Sequence, residues 1–448
     1  MRQATQDSSA VEKISLKSDS SDAPAIVGGK DRSSGRKRVV IVGGGFGGLY
    51  TAKGLANKDV DVVLIDKKNH HTFQPLLYQV ATTVLSPGQI ANPLRTILRG
   101  ARNVEVLLDE VVGIDLESQT VSLAKQDAIG YDYLVIAAGA RHSYFGHDEW
   151  EEFAPGIKTI EDATHVRRQI LLAFERAERE AFLQEGDGKV TFAIIGGGPT
   201  GVEVAGAIAD IADRVVSHDF KTIDTRKTKV ILFEGVSRIL GMFSEDISRS
   251  AQKQLEQLGV EVRTNSQVTA VESGRLQVKD EWVPVNAIVW ATGVSASPLG
   301  KMLGVPVDRA GRVPVRPDLT LPDHPEVFVI GDMNTLKDTA GVLVPGLGAA
   351  ATQEGDLTAR NILSALRGAP GTPFKYKDKG SLATIGRNRA VAAFGNREVT
   401  GFAAWLLWAL VHIYLLIGFR NRLSVMSEWV WSYFTSHRSA RLITGDEL

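Results

Sequence analysis

Two groups of glycines give the chain its clearest chemical pattern. Both have the spacing G-x-G-x-x-G: one is Gly43, Gly45 and Gly48, and the other is Gly196, Gly198 and Gly201. Each follows a short apolar stretch and precedes an amphipathic one, which indicates a strand that turns directly into a helix. Such a turn brings backbone N–H groups and the positive end of the helix to the pyrophosphate of a dinucleotide. The repetition therefore predicts two dinucleotide-binding sites in one chain.

Two acidic residues further along support this prediction. Asp66 ends "VDVVLID", 18 residues after Gly48, and Glu234 ends "TKVILFEG", 33 residues after Gly201. A carboxylate at the end of the second strand accepts hydrogen bonds from ribose hydroxyls. At Glu234 it would repel a 2′-phosphate, which favours NADH over NADPH. The alternative is that Glu234 is only a solvated acid at a strand end.

A third pattern distinguishes the two sites. In "VFVIGDMN" an apolar strand runs into Gly331 and Asp332, the arrangement in which an aspartate accepts a hydrogen bond from the ribitol chain of FAD. The first loop and this segment predict an FAD domain, and the second loop predicts an NADH domain inserted into it. The residues assigned to FAD are Gly43, Gly45, Phe46, Gly48, Asp66, Lys67, Thr82, Ala138, Gly331 and Asp332, and those assigned to NADH are Gly196, Gly198, Pro199, Thr200, Glu234 and Gly293.

The composition excludes several other kinds of chemistry. The chain has no cysteine, so disulfides, thiolate metal sites and a redox dithiol are ruled out. Redox chemistry then belongs to a bound cofactor. His70 and His71 are adjacent, so their side chains point apart, and we predict no metal site. The net charge of −1 gives no indication of nucleic acid binding.

The C-terminal region differs from the rest in charge and hydropathy. From Gly371 to Arg441 there are ten Lys and Arg but three Asp and Glu. Gly401–Phe419 is a run of nineteen residues without a formal charge, close to the ~20 that span a bilayer. His412 within this run, and the Trp and Arg residues after it, favour a helix that lies in the membrane surface. A true span is the alternative.

Short β-branched strands alternate with helical stretches along most of the 448 residues. This alternation predicts an α/β fold with parallel sheets. We expect two Rossmann-like dinucleotide-binding domains and a C-terminal membrane-attachment region with amphipathic helices. The predicted divisions are a disordered tail over 1–36, an FAD-binding domain over 37–150 and 298–370, an NADH-binding domain over 151–297, and the membrane-associating region over 371–448.

Four segments together resemble the type II NADH:quinone oxidoreductases, the single-subunit, non-pumping NADH dehydrogenases: "NHHTFQPLLYQVATTVLSP", "GGGPTGVEVAG", "IGDMN" and "KGSLATIG". The resemblance extends from Arg38 to Leu442. It implies an enzyme with non-covalently held FAD that takes a hydride from NADH and passes two electrons to a membrane quinone without proton pumping. It also implies quinone access through 371–448, peripheral attachment to a lipid bilayer at the cytoplasmic face of the plasma membrane, and a homodimer.

The resemblance also implies roles for three side chains. Glu203 would act in NADH placement or proton handling, and Lys379 would stabilise negative charge on flavin or quinol oxygen. The alternatives are a surface glutamate and an exposed lysine in a linker. Many relatives carry two glutamines in the segment "PGLGAAATQEG" (345–355), whereas this chain has Ala349 and Gln353. We therefore expect Gln353 to be the only side-chain amide of this segment near the quinone, ahead of a helix over 355–366.

Two other functions stay open at this point. One is an NADH-dependent flavoprotein with a soluble acceptor such as a ferredoxin, although the apolar C-terminal helices argue against it. The other is a flavin-containing NADH-sensing module, in which the quinone-side segments would have no role.

Overall fold

A parallel five-stranded sheet forms the centre of the first structural unit. The structure, a computed structural model, describes residues 35–339, 341–435, 438 and 440–444, so nearly all of the predicted tail over 1–36 lies outside the described residues. The strand order is Val327–Val329, Tyr133–Ile136, Arg38–Val42, Asp61–Asp66 and Val104–Leu108. All neighbouring strands pair in parallel.

Both faces of this sheet are covered, which explains its nearly continuous apolar strands. Val39 and Ile41 pack with the helices Phe46–Leu55 and Gly348–Ala365 on one face. Val40 packs on the other face with an antiparallel sheet. That sheet consists of Val111–Asp115, Thr120–Leu123 and Ile129–Gly130.

The second unit repeats this plan. Its parallel sheet has the order Val260–Arg263, Lys229–Phe233, Thr191–Ile195 and Ala287–Trp290. The helices that cover one face are Ile160–Phe182, Pro199–Asp210 and Glu245–Glu256, and the antiparallel strands that cover the other are Val268–Glu272, Arg275–Val278 and Glu281–Pro284. The predicted α/β fold with two dinucleotide-binding units is confirmed. The predicted domain boundaries stay a prediction.

Short elements connect and cap these units. Three strand pairs are His70–Thr72 with Ala91–Pro93, Ala140–His142 with Val294–Ala296, and Val313–Pro314 with Asn334–Thr335. The short α-helices are Leu77–Ala81, Pro87–Ile90, Leu94–Ile97 and Leu299–Met302. The 3₁₀ turns are Gln74–Leu76, Asp148–Glu152, Thr225–Lys227 and Gly331–Met333, and a π-helical turn spans Ile211–Val215.

The C-terminal region begins with a three-stranded antiparallel sheet. Its strands are Ser381–Gly386, Arg389–Phe394 and Arg397–Thr400, as the alternating sequence pattern in "SLATIGRNRAVAAFG" predicts. The sheet packs on the helix Pro199–Asp210 at Gly206, where an added Cβ would lie 1.7 Å from the carbonyl oxygen of Ile385. Only glycine permits this approach.

Two helices follow the C-terminal sheet. They span Phe402–Leu415 and Phe419–Thr435. The uncharged run Gly401–Phe419 is therefore not one helix. The first helix ends at Leu415, and Gly418 takes a left-handed φ of +87° between the two helices. Among the described helices, none combines the length and the apolar character needed to cross a membrane.

The segment "PGLGAAATQEG" is also placed differently from the expectation. The helix starts at Gly348, not at Gly355, so the small residues lie inside its first turns. An added Cβ on Gly355 would lie 2.3 Å from the carbonyl oxygen of Gly47, and one on Gly348 would lie 3.1 Å from the Phe46 ring. The small residues therefore bring this helix against the helix of the first glycine loop.

Candidate active site

The three glycines of the first loop have separate structural duties. Gly43 has a φ of +104°, and an added Cβ there would lie 2.4 Å from the carbonyl oxygen of Ala137. A Cβ on Gly48 would lie 1.8 Å from the Gly43 carbonyl oxygen, so that position sets the close packing of helix on strand. A Cβ on Gly45 would meet no heavy atom within 4 Å. The space at the helix N-terminus is therefore available to a pyrophosphate.

Asp66 fixes the conformation of this loop. Its carboxylate accepts hydrogen bonds from the backbone N–H groups of Gly44 at 2.5 Å and Lys68 at 2.7 Å. Burial raises its pKa, and these two bonds oppose the rise. Ala138 lies beside Gly43, whereas the side chain of Lys67 is exposed. Asp66 thus lies at the predicted ribose position and also orders the backbone that would receive the phosphates.

The second loop reproduces the first. Gly196 has a φ of +110°, a Cβ on Gly201 would lie 1.8 Å from the Gly196 carbonyl oxygen, and a Cβ on Gly198 would meet no heavy atom within 4 Å. The Glu234 carboxylate accepts from the N–H of Gly197 at 2.7 Å and also from Val236. Glu234 thus holds the backbone of the second loop by hydrogen bonds, as Asp66 holds that of the first loop.

The other residues assigned to NADH surround this loop. Pro199 is the first residue of the helix, where its missing N–H costs nothing. Thr200 follows it and is exposed. Gly293 has a φ of +70°, and an added Cβ would lie 2.5 Å from the carbonyl oxygen of Ser143. A larger residue at Gly293 would therefore disturb the connection between the two units.

Glu354 organises the Gly331–Asp332 segment, a role that no sequence pattern indicated. It is 1% exposed, and its carboxylate accepts from the Gly331 N–H at 2.5 Å and from the Asn334 side-chain amide at 2.9 Å. Burial raises its pKa to about 7. Lys158 was also missed: its ammonium group lies 3.4 Å from the Asp332 carboxylate. Neither partner is near in sequence, so no local pattern identifies these contacts.

Two buried polar atoms in the segment 71–83 have no hydrogen-bond partner, and one of them lies beside the first loop. His71 bonds the Gly44 carbonyl oxygen through Nδ1 at 3.1 Å, while its buried Nε2 has no partner. Burial lowers the pKa of His71 to about 4, so the ring is neutral. The hydroxyl of Thr83 is likewise buried without a partner, and Thr83 has a left-handed φ of +65°. Such atoms fit the polar edge of a bound flavin.

Thr82 differs from its neighbour. Its hydroxyl donates to the Tyr78 carbonyl oxygen at 2.7 Å, and its own carbonyl accepts from Arg438 at 3.0 Å. The Thr82 side chain is therefore used within the protein, and Thr83 has the free hydroxyl. No group of three or more His, Asp or Glu side chains suited to a metal ion occurs in the part of the chain that the structure describes.

An aromatic chain connects the first loop with the C-terminal helices. Its members are Phe46, Phe73, His412, Trp408 and Trp429. Successive ring centroids lie between 4.4 and 6.2 Å apart. Burial lowers the pKa of His412 to about 4, so this chain is uncharged at neutral pH. It joins the predicted flavin site to the predicted membrane segment, which lie far apart in sequence.

Glu203 lies where the second glycine-loop helix meets the C-terminal sheet. Part of the residue reaches the surface, whereas its carboxyl group is buried, and one carboxylate oxygen accepts from the Thr384 N–H at 3.5 Å. Burial raises its pKa to about 8. The hydroxyl of the buried Tyr78 accepts a hydrogen bond from the Gln79 amide at 2.9 Å. Burial raises the pKa of Tyr78 well above its usual value, and the charge of Glu203 adds to this rise. Glu203 is therefore a protonated carboxylic acid at neutral pH, beside a buried phenol.

Gln353 and Lys379 are linked through the backbone of Lys377. The Gln353 amide donates to the Lys377 carbonyl oxygen at 3.1 Å and accepts from the Lys377 N–H at 3.0 Å. Lys379 is exposed. Burial raises the pKa of Asp356, and this rise is opposed by the positive charges of Arg360, Lys379 and Lys53. Gln353 thus fixes the segment that carries Lys379.

Two family models match the chain. The pyridine nucleotide-disulphide oxidoreductase model matches residues 37–355, and the NDH2 C-terminal domain model matches residues 379–438. The first covers the two sheet units with their glycine loops. The second covers the C-terminal sheet and both helices that follow it.

Named relatives point to the same family. A Mycobacterium tuberculosis protein, type II NADH:quinone oxidoreductase NdhA, is 44% identical over 442 residues, covering 95% of this chain and 92% of the relative. Demethylphylloquinone reductase NdbB of Synechocystis is 30% identical, covering 88% and 96%. The structure of NDH2 from Plasmodium falciparum in complex with NADH has a TM-score of 0.81 at 21% identity, covering 92% of this chain and 100% of that one. The chain therefore belongs to the type II NADH:quinone oxidoreductases, FAD enzymes that transfer electrons from NADH to a quinone without pumping protons.

Proposed function

We propose that Glu203 supplies a proton during quinone reduction, at the contact between the second glycine-loop helix and the C-terminal sheet. The observation that carries this proposal is the position of Glu203, whose carboxylate accepts from the Thr384 N–H at 3.5 Å beside the buried Tyr78. Burial raises its pKa to about 8, so most of the carboxyl group is protonated at neutral pH. An acid with a pKa near the working pH is best suited to proton transfer. Bound FAD supplies the electron transfer itself, since the chain has no cysteine with which to relay electrons.

The remaining site residues position the two nucleotides. We assign the FAD pyrophosphate to the first glycine loop and that of NADH to the second, with Asp66 and Glu234 toward the riboses. Glu234 holds its loop through Gly197 and Val236, and its negative charge disfavours a 2′-phosphate. A higher kcat/KM with NADH than with NADPH is expected, and equal values would remove this assignment.

The substitution Glu203→Gln tests the proposed proton donor. It keeps the shape of the side chain but removes the acidic proton. Reoxidation of the reduced enzyme by a short-chain quinone should slow about 100-fold, the scale of general acid catalysis, while bleaching of the flavin absorbance by NADH stays within about threefold. Stopped-flow absorbance measures both steps separately.

The pH profile provides the second readout of this test. Because the pKa of Glu203 is raised to about 8, the wild-type reoxidation rate should fall about tenfold per pH unit above pH 8. The variant should lack this decrease. The raised pKa of Glu203 also contributes to the stability of the folded state. This contribution is fully present below the ordinary glutamate pKa and is lost as pH rises through 8. A variant that keeps both the rate and the pH profile would contradict the role of Glu203.

We further propose peripheral attachment to a bilayer through the C-terminal apolar face. This face consists of exposed residues at helical spacing: Phe402, Leu406, Leu410 and Tyr414 on the first helix, and Phe419, Leu423, Met426, Val430 and Phe434 on the second. A patch this large on a protein surface is typical of a binding surface. The excess of Lys and Arg in this region suits an anionic cytoplasmic leaflet.

The aromatic chain lies between this face and the first loop, so a quinone tail in the bilayer would have an apolar path toward the flavin. A homodimer, implied by the resemblance, is proposed alongside, and light scattering of the solubilised enzyme tests it.

A further inference from the structure

A polar cavity of about 510 Å³ lies between the second sheet unit and the C-terminal region. Its charged lining consists of three arginines, Arg214, Arg387 and Arg389, and none of the described residues that line it is acidic. The neutral members of the lining are Ser250, Gln254, Gln257, Asn388, Thr400 and Gly401. Guanidinium groups next to side-chain hydroxyls and amides are the donors that recognise phosphate oxygens.

The arginines are only partly neutralised by the protein. The Arg387 guanidinium lies 4.1 Å from the centroid of the Tyr433 ring, and no described carboxylate pairs with it. Arg389 donates to the side-chain oxygen of Gln257. Arg214 lies 3.5 Å from each of two carboxylates, Asp210 and Asp213. An arginine that packs on a ring face or makes one hydrogen bond keeps other N–H donors for a ligand.

One of the acids near the cavity is shared. Asp210 also pairs with Arg438, which is buried, so one carboxylate serves two guanidinium groups. The local charge is therefore positive, and an anion that enters the cavity meets donors without a competing acid in the described lining.

The cavity adjoins the C-terminal apolar face. Gly401, at its edge, precedes Phe402, which is 56% exposed. Tyr433, which packs against Arg387, lies with its ring centroid 5.7 Å from that of Trp405 and precedes Phe434, which is 80% exposed. Along the chain, residues at the cavity are therefore immediate neighbours of residues in the C-terminal apolar face.

We propose that this cavity binds the phosphate headgroup of an anionic phospholipid, such as phosphatidylglycerol, whose acyl chains lie along the C-terminal apolar face. Its volume is in the range of small-molecule sites. The arginines favour a headgroup with net negative charge and repel the quaternary ammonium of phosphatidylcholine. Residues from the nucleotide-binding unit and from the C-terminal sheet line the cavity together, so the lipid would bridge the two. The inference deepens the proposed membrane attachment and rests on it for the acyl chains.

Native mass spectrometry of the detergent-solubilised holoenzyme tests this proposal. The probes are short-chain phosphatidylglycerol, phosphatidylcholine of equal chain length, and glycerol 3-phosphate. We expect one phosphatidylglycerol to bind per chain, at least about tenfold more tightly than phosphatidylcholine. The double variant R387Q/R389Q should weaken phosphatidylglycerol binding at least about tenfold.

A matched control separates this site from general surface charge. Arg176→Gln removes an exposed arginine outside the cavity lining, in the helix Ile160–Phe182, and should leave binding within about twofold. If the double variant loses flavin or unfolds, Arg387→Gln alone replaces it, with an expected loss of about fivefold.

Equal binding of the two lipids, or unchanged binding in the cavity variants, would overturn the proposal. Glycerol 3-phosphate that binds as tightly as phosphatidylglycerol would show that a soluble phosphate compound is the ligand. Because binding is measured in detergent, failure of the bilayer attachment itself would appear instead in vesicle experiments with the wild-type enzyme.

Discussion

At the scale of single residues, buried or partly buried acids hold the backbone at each nucleotide segment. Asp66 bonds the first glycine loop, Glu234 bonds the second, and Glu354 bonds the turn at Gly331. In each case a carboxylate accepts from a backbone N–H group that would otherwise lack a partner. Since an unpaired buried N–H costs about 1–3 kcal/mol, these acids stabilise the conformations that the cofactors require.

Removal of Glu354 should loosen the FAD segment. Glu354→Ala leaves the Gly331 N–H and the Asn334 amide without their acceptor, so we expect a loss of about 2–4 kcal/mol in the free energy of unfolding. FAD should also dissociate more readily, which fluorescence of released flavin measures. Glu175→Ala removes an exposed glutamate from another helix and should change neither quantity. Full retention of FAD by the Glu354 variant would remove the organising role.

Gln353 is expected to act on quinone through the segment of Lys379. Because both ends of its amide bond the Lys377 backbone, Gln353→Ala should release this segment and raise the quinone KM about fivefold to tenfold, the effect of roughly one lost hydrogen bond. The KM for NADH should stay unchanged. Steady-state kinetics with each substrate varied in turn measures both constants, and Gln252→Ala, at a partly exposed position in another helix, is the control. An unaltered response to quinone would exclude this role.

At the scale of elements, glycines set the distances between helices and their neighbours. Gly355 permits contact of the helix Gly348–Ala365 with Gly47, and Gly206 permits contact of the helix Pro199–Asp210 with the C-terminal sheet. These contacts have no specific side-chain chemistry, yet they decide where Glu203 and Gln353 lie. Small residues at such positions therefore serve the site indirectly.

Gly206→Ala should separate the C-terminal sheet from the nucleotide-binding unit. Alanine normally stabilises a helix relative to glycine by about 1 kcal/mol, but here its Cβ would lie 1.7 Å from the Ile385 carbonyl oxygen. We expect a lower melting temperature and a net cost of about 1–3 kcal/mol. Quinone reduction should fall more than reduction of a soluble dye by NADH.

A matched helical glycine gives the control for this substitution. Gly88 lies in the helix Pro87–Ile90, and an added Cβ there would meet no heavy atom within 4 Å. Gly88→Ala should therefore be neutral or stabilising. Equal melting temperatures for the two variants would refute the packing role of Gly206.

At the scale of the whole molecule, the C-terminal helices serve the protein and the proposed membrane with different faces. Trp408 and Val425 are buried against the core, while the C-terminal apolar face is exposed. Trp429 donates to Gln79 at 2.7 Å, and Arg438 donates to Thr82. The two helices and Arg438 after them thus support the loop beside the first nucleotide site, while the helices present an apolar surface outward.

Charges on the apolar face should weaken membrane binding without impairing the enzyme. The double substitution L410E/F419E alters side chains that are 61% and 81% exposed. Because each such side chain contributes about 1.5–3 kcal/mol when buried, partition onto anionic vesicles should fall at least tenfold. Activity with a water-soluble short-chain quinone should persist. Phe182→Glu, at a site that is 74% exposed in the first long helix, is the control, and equal partition of all three proteins would contradict the attachment surface.

The sequence by itself determined the features that depend on local backbone geometry. The two glycine loops, the acids that end the following strands and the Gly331–Asp332 turn follow from spacing, since a tight turn requires glycine at fixed positions. The resemblance then identified the chain as an NADH:quinone oxidoreductase. The relatives confirm this function and not the two alternatives, an enzyme with a soluble acceptor or an NADH-sensing module.

Only the tertiary structure decided the contacts between distant segments. The Glu354 carboxylate accepts from the Gly331 N–H, and Lys158 pairs with the Asp332 carboxylate. The Gln353 amide is hydrogen-bonded to the Lys377 backbone. The break of the uncharged run at Gly418 and the burial that raises the pKa of Glu203 also appeared only there. Burial and pairing depend on what other parts of the chain bring alongside, and periodicity along one segment does not contain that information.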